Sequence, residues 1–301
     1  MDNKKQVGVI QVAFGLGGCR EGAELGPRGI MEAGLLTELE RLGYEATEVR
    51  EAVVPGKPQL IESPAPGKMK YEDEVSRMSE SVSGEVASVI GRGRLPIVLG
   101  GDHSVAIGSL FGIAEARRNL GVIWIDAHSD LNTEASSPSG NAHGMPLAVA
   151  LGLAAFKPQG RKAPAIRKEK LVLVAARDLD PGEKALIRAE GIACFTMHDI
   201  DKLGMKAVME RALAIAGEGT DGLHVSLDMD SLDPSEAPGV GTPVPGGLSF
   251  REAHLAMELL AESGKIASLD IVEVNPTLDR EGKTARLAVG LCASLLGKTI
   301  L

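Results

Sequence analysis

The sequence predicts an α/β fold: a three-layer α/β/α arrangement with a mainly parallel sheet and helices on both faces. Three observations carry that reading. Short runs such as "VGVIQV" (7–12), "LPIVLGG" (95–101) and "KLVLVAARD" (170–178) are nearly continuous in apolar residues, the pattern of strands buried on both faces. These runs alternate with longer helical stretches, the order of βαβ units and so of parallel neighbours. The polar residues that interrupt the runs fall at their C-terminal ends, the edge at which open parallel sheets bind ligands.

Taken in order, residues 7–12 form the first strand. A helix runs from Pro27, whose missing N–H is not needed at a first helical position, to Leu42. "YEATEV" (44–49) is a weaker strand, and residues 51–68, rich in proline and glycine, read as a surface loop. A helix is expected from Tyr71 to Ile90, a buried strand over 95–101 and a helix from Ser104 to Arg118. "LGVIWIDAH" (120–128) is a strand, and a long polar loop leads from it to a helix beginning near His143. A strand over 170–178 precedes a helix opened by Pro181. Strand 222–230, loop 231–247, helix 250–263, strand 266–276 and a helix over 284–297 complete the chain. No linker, internal repeat or low-complexity tract divides it, so residues 1–301 are expected to form one domain.

Composition narrows the function. The 301 residues are 44% hydrophobic and 24% charged, ordinary for a soluble globular protein. A net charge of −9 disfavours nucleic acid and anionic membranes as partners and suits a small cationic substrate. Cys19, Cys194 and Cys292 lie far apart, without metal-binding spacing, as expected for reduced thiols of a cytoplasmic protein. The N-terminal apolar run is too short for a signal peptide, and no stretch approaches the roughly 18 apolar residues of a membrane span.

The chemistry gathers at four strand ends. His103 ends one run; Asp126, His128 and Asp130 end the next; Asp228 and Asp230 end a third; Glu273 ends the last. Alternate residues of an extended segment point the same way, so the D-x-H-x-D and D-x-D sets can each project together as far as the strand continues, and the strand can equally end there. Four carboxylates buried together without a cation would repel one another and mostly protonate, and divalent metal removes that cost. Six ligands, mostly oxygen, exceed what one tetrahedral zinc takes and suit two ions such as manganese. Carboxylates can bridge two ions roughly 3.5–4 Å apart, and water held between them loses a proton near neutral pH. A lone D-x-D could equally be a solvated turn, or the metal site of a nucleotide-sugar transferase. That second reading leaves His103, His128 and His143 without a role. His198, His224 and His254 lie in no acidic cluster and read as ordinary strand or helix residues. "GLGG" (15–18) lacks G-x-G-x-x-G spacing and gives no reason to expect a dinucleotide.

"GGDHS", "DAHSD…SGNAHG", "SLDMDSLDPSEAPGVGTPVPGG" and "DIVEVNP" resemble, in order and across nearly the whole chain, the arginase branch of the ureohydrolase family, and its bacterial members in particular. The resemblance implies two Mn²⁺ ions per subunit, held by His103, Asp126, His128, Asp130, Asp228 and Asp230. It implies hydrolysis of L-arginine to L-ornithine and urea by a metal-bridging hydroxide. Asp130 would hold that hydroxide, Glu273 would face the guanidinium and His143 would shuttle protons. Asn132, Ser137, Ser139 and Asn141 would read the substrate α-carboxylate, Asp180 and Glu183 would lie near its α-amino group, and Thr242 and His128 would lie near the guanidinium. A homo-oligomer, trimer or hexamer, is implied as well. Agmatinase and formiminoglutamase share the metal motifs and differ in what reads the rest of the substrate. A metal-dependent arginine-binding protein without turnover is the alternative from a different class, and urea release separates it.

Overall fold

A computed structural model of the chain describes residues 6–58, 67–158 and 164–300. Among the described residues, eight strands form one sheet: β1 (Gln6–Val12), β2 (Glu45–Glu51), β3 (Leu95–Gly100), β4 (Leu120–Ile125), β5 (Leu171–Ala176), β6 (Ala193–Thr196), β7 (Gly222–Asp228) and β8 (Ile266–Val272). Their order is β2-β1-β3-β8-β7-β4-β5-β6, and every pair is parallel. β3, β4 and β5 are almost wholly apolar because both of their faces are covered.

The helices are α1 (Gly26–Glu32), α2 (Leu35–Arg41), α3 (Glu72–Gly91), α4 (Val105–Ala116), α5 (Pro146–Ala150), α6 (Pro181–Glu190), α7 (Met197–Leu203), α8 (Met205–Gly217), α9 (Phe250–Glu262) and α10 (Lys283–Leu295). One core joins residues of α1, α2 and α7–α10 to Val7, Leu99, Ile125, Leu227 and Ile271 of the sheet. On the opposite face α3, α4 and α5 pack over Ile10, Val98, Val122, Trp124 and Leu173. Trp124 is fully buried.

Three departures from the sequence reading have local causes. The single helix expected from Pro27 to Leu42 is two, broken where Gly34 takes φ +100°, a conformation only glycine adopts without strain. The helix expected near His143 is a 3₁₀ turn (Ala142–Gly144) followed by the short α5. β6, α7 and α8 were not foreseen: β6 is a half-buried edge strand of four residues with no long apolar run. Of the loop expected over 51–68, residues 52–58 carry no regular structure and 59–66 lie outside the described residues.

The four strands that end in candidate residues, β3, β8, β7 and β4, are consecutive neighbours. The candidates therefore meet at the C-terminal edge of the middle of the sheet.

Candidate active site

Turns, rather than extended strands, gather the ligand-type residues. β4 stops at Ile125, and past it the Asp126 N–H donates to the Val174 carbonyl (3.0 Å) and the Ala127 carbonyl accepts the Arg177 N–H (2.8 Å) on the β5 side. The Asp126 carboxylate then accepts the His128 N–H at 2.7 Å, which curls the chain, and Asp130 takes φ +51°. The expected extended alternation of Asp126, His128 and Asp130 is thus replaced by a tight turn. Asp228 closes β7, and its carboxylate accepts the Asp230 N–H at 2.7 Å, opening a 3₁₀ turn over Met229–Ser231. Glu273 follows β8 at φ +65°, with its N–H donated to the Gly101 carbonyl at 2.8 Å.

His103 Nδ1 lies 3.2 Å from Asp126, 3.0 Å from Asp130 and 3.0 Å from Asp228. His128 Nδ1 lies 3.5 Å from Asp126 and 3.2 Å from Asp230. Asp126 turns Oδ2 to His103 and Oδ1 to His128, so it belongs to both groups that could hold an ion: His103, Asp126 and Asp228, and Asp126, His128 and Asp230. Asp130 stands beside the first group. His103 Nδ1 and Asp130 Oδ2 are buried, and neither has a hydrogen-bond partner among the described residues despite their mutual distance. Buried donor atoms that converge without bonding one another suit a pair of divalent cations, since an orphaned buried polar atom otherwise carries a desolvation cost.

Neighbours fix these side chains. The His103 ring stacks on Trp124, and Trp124 Nε1 donates to Asp126 Oδ2 at 3.0 Å. Ser226 Oγ meets His103 Nε2 at 2.8 Å, which leaves Nδ1 for the cluster. Thr242 donates to Asp230 Oδ2 at 2.8 Å. Arg177 donates to the carbonyls of Asp230 (2.7 Å), Ser231 (3.0 Å) and Val244 (2.7 Å), clasping the loop that carries Asp230 and Thr242.

The charges respond to this crowding. Burial, reinforced by Asp126, pushes the Asp130 carboxyl up to about 7. Burial with Asp230 and Asp126 pushes Asp228 well up. Burial opposes the charge on Asp126 too, but the imidazoles of His103 and His128 close beside it hold its carboxyl low. His128 is raised in turn: burial is outweighed by the carboxylates of Asp126 and Asp230 beside it.

Glu273, fully enclosed, accepts the His103 N–H at 2.9 Å and faces His143 Nδ1 at 3.2 Å through the same Oε1. Burial would lower the His143 imidazole, but the Glu273 hydrogen bond raises it to about 9. The His143 N–H donates to the Gly17 carbonyl at 3.1 Å. Asp102, which sequence reasoning passed over, holds that loop in place. Its Oδ2 accepts Gly17 N–H (2.8 Å) and Gly18 N–H (3.1 Å), and its Oδ1 accepts Ser104 N–H (2.9 Å). A Cβ on Gly17 would lie 2.7 Å from Asp102 and 2.5 Å from Ser104, so "GLGG" serves close backbone approach. An acid immediately before His103 was the available signal.

One cavity of roughly 200 Å³, room for a small extended molecule, is lined by His103, His128, Asp130, Asn132, Ser137, Ser139, Asn141, His143, Asp180, Glu183, Asp228, Asp230 and Thr242. Pro138, Gly144 and Asp178 also line it and were not singled out from sequence. Asp126 and Glu273 lie beneath this lining, nearly without exposure. Asn132 Nδ2 donates to Asp180 at 2.8 Å. Glu183 accepts from Leu131 N–H (3.2 Å) and Asp180 N–H (2.8 Å), completing a capping box at the start of α6, so both its oxygens are engaged in holding the wall.

The other histidines stay outside the cavity. His198 is exposed, and His254 Nδ1 meets Ser294 Oγ at 2.8 Å. His224 departs from expectation: an acid does stand beside it, Asp270 at 3.5 Å, brought there by the pairing of β7 with β8. Both are fully buried. Burial pushes the Asp270 carboxyl up to about 7 and the His224 imidazole down to about 3.

The chain matches the model of the Arginase family over residues 5–297. It is 48% identical to the arginase of Bacillus caldovelox over 99% of this chain and 100% of that one. It is 46% identical to the arginase of Brevibacillus brevis over 99% of each chain. The native structure of the Bacillus caldovelox arginase superimposes on it with a TM-score of 0.94, covering 99% of this chain and 100% of that one.

Proposed function

The chain belongs to the arginase family, and from that membership we propose that it hydrolyses L-arginine to L-ornithine and urea with two manganese ions held by His103, Asp126, His128, Asp130, Asp228 and Asp230. The observation that carries the metal reading is Asp126, one oxygen toward each of two His-containing groups, with orphaned atoms on His103 and Asp130. The oxygen-rich set favours manganese over zinc. When bound, two divalent ions supply the acidity that makes water a nucleophile near neutral pH.

The protein's own groups do the rest. Overall, a C–O bond forms at the guanidinium carbon, its C–N bond to the ornithine side breaks, and the departing nitrogen takes a proton. Glu273 is the buried carboxylate that pairs with the guanidinium and fixes its plane. Asp130 orients the attacking oxygen. His143 carries protons: Glu273 engages Nδ1, which leaves Nε2 to exchange with the leaving amine and solvent. Asn132, Ser137, Ser139 and Asn141 take the α-carboxylate, while Asp180, with Glu183 behind it, takes the α-ammonium. Thr242 and His128 flank the guanidinium end. By the family resemblance, the working assembly is a homo-oligomer, trimer or hexamer.

The test is urea release from arginine and agmatine, side by side, before and after manganese loading. Chelated protein should be inactive, Mn²⁺ should restore activity better than Zn²⁺, and arginine should be strongly preferred. Full activity in metal-free protein overturns the metal reading; equal use of the two substrates overturns the arginine reading.

A further inference from the structure

Residues 137–141 form the part of the cavity wall that carries no acid. Ser137 Oγ accepts the Gly140 N–H at 2.9 Å, and Ser139 Oγ accepts the Asn141 N–H at 3.1 Å. Each oxygen thereby has one of its two lone pairs taken from within the loop, and each hydroxyl keeps its proton free to donate. Asn141 is biased the same way from outside. Lys70 Nζ donates to Asn141 Oδ1 at 2.9 Å. An ammonium can only donate, so it takes the amide oxygen and leaves the NH₂ as the free end. Among the described residues nothing accepts from that NH₂. The segment therefore presents two hydroxyl donors and one amide donor, an arrangement for an anion.

The acids stand elsewhere in the wall, beside the imidazoles of His103, His128 and His143. Asp130, Asp178, Asp180, Asp228 and Asp230 all line the cavity. Among the described residues, Lys70 is the one lysine or arginine whose charged group hydrogen-bonds a side chain of that wall. The backbone keeps it there: Lys70 N–H donates to the Gly140 carbonyl at 2.8 Å. Gly140 takes φ +71°, and a Cβ on it would stand 3.0 Å from the Lys68 carbonyl, so a glycine permits this close approach.

We propose that Lys70 determines specificity for a substrate that carries a carboxylate. It orients the Asn141 amide and places a positive charge behind the donor arc. The inference rests on the arginine reading given above. A substrate with a guanidinium and an α-carboxylate gains from this arc and charge; agmatine, which has no carboxylate, meets the same charge with nothing to offset it. Because Lys70 is half-buried, its field is only partly screened at the mouth.

The experiment compares Lys70→Met and Lys70→Arg with the manganese-loaded parent enzyme, measuring kcat and KM on arginine and on agmatine. Lys70→Met keeps the stem and removes the charge. It should lower kcat/KM for arginine about tenfold, mostly through KM, as loss of one charge-assisted contact does. Its kcat/KM for agmatine should hold or rise. Lys70→Arg, still a cation and obligate donor, should keep most of the arginine preference. An equal loss on both substrates in Lys70→Met makes Lys70 a brace for the loop and overturns the proposal. An unchanged ratio in a variant whose parent prefers arginine overturns it as well and leaves the arginine reading standing. A parent enzyme that uses agmatine as readily as arginine removes the arginine reading and the proposal together.

Discussion

The imidazole of His103 lies flat on the indole of Trp124, ring centroids 4.1 Å apart and planes within 5° of each other. The same indole donates its N–H to Asp126. Trp124 thus orients two ligand-type side chains at once, from inside the core. Trp124→Phe keeps a stacking surface and removes the donor. Manganese affinity, read by titration calorimetry, should fall about 10–100-fold, as when an outer-shell partner of a metal ligand is removed. Unchanged affinity would show that Asp126 needs no such support.

His143→Ala should fold and retain metal but lose turnover, by about 10–10⁴-fold on the scale of general acid–base catalysis. Added imidazole should restore part of it. Full activity of the variant at pH 7 would leave His143 as a turn residue whose N–H merely ties down Gly17.

Glu273→Gln keeps the shape and removes the charge. One of its two oxygens becomes a donor, facing either the His103 N–H or the arginine donors. KM for arginine should rise sharply while both manganese ions stay bound, as metal analysis of the purified variant would establish. Metal loss would instead make Glu273 a ligand, and unchanged kinetics would make it structural.

Asp270 should leave a mark on stability as a function of pH. Its carboxyl rises to about 7 in the fold because it is buried, against an ordinary value near 4. Between those values the unfolded chain is ionised there and the folded chain is protonated. Stability from this group is therefore complete below about pH 4 and is lost as pH climbs toward 7. Asp270→Asn cannot ionise. Relative to the parent, the variant's denaturation midpoint should improve steadily from pH 4.5 to 7.5; a constant difference across that range would mean Asp270 is ionised in the fold.

The sheet was legible because its central strands are buried on both faces, and a continuous apolar run such as "GVIWI" has few other uses. β6 and α8 were not, because a four-residue edge strand leaves too short a pattern and α8 had no cap to mark its start: Gly204 makes no side-chain bond. At the site, Asp126, His128 and Asp130 were identifiable from residue type and spacing, but the reason offered for their convergence, extended alternation, differs from the Asx-type turn and left-handed residue that bring them together. Asp102 was marked only by its place beside His103, and Arg177 not at all. The bonds by which they hold the site reach backbone groups of distant loops, 84 and 85 residues away for Asp102 and 53 to 67 for Arg177, and no local spacing records such a bond.

The place of β8 in the sheet bears on how the chain is made. β2-β1-β3 on one side and β7-β4-β5-β6 on the other meet only through β8 in the strand order. β8 begins at Ile266 of 301 residues, so an emerging chain has both halves complete before the piece that joins them exists. Until then β3 and β7 each present an open edge in what will become the middle of the molecule, the kind of edge that pairs with other chains. A premature stop before Ile266 is therefore not a small trimming. It removes the joint and Glu273 together, and leaves two half-sheets for chaperones and proteases to find.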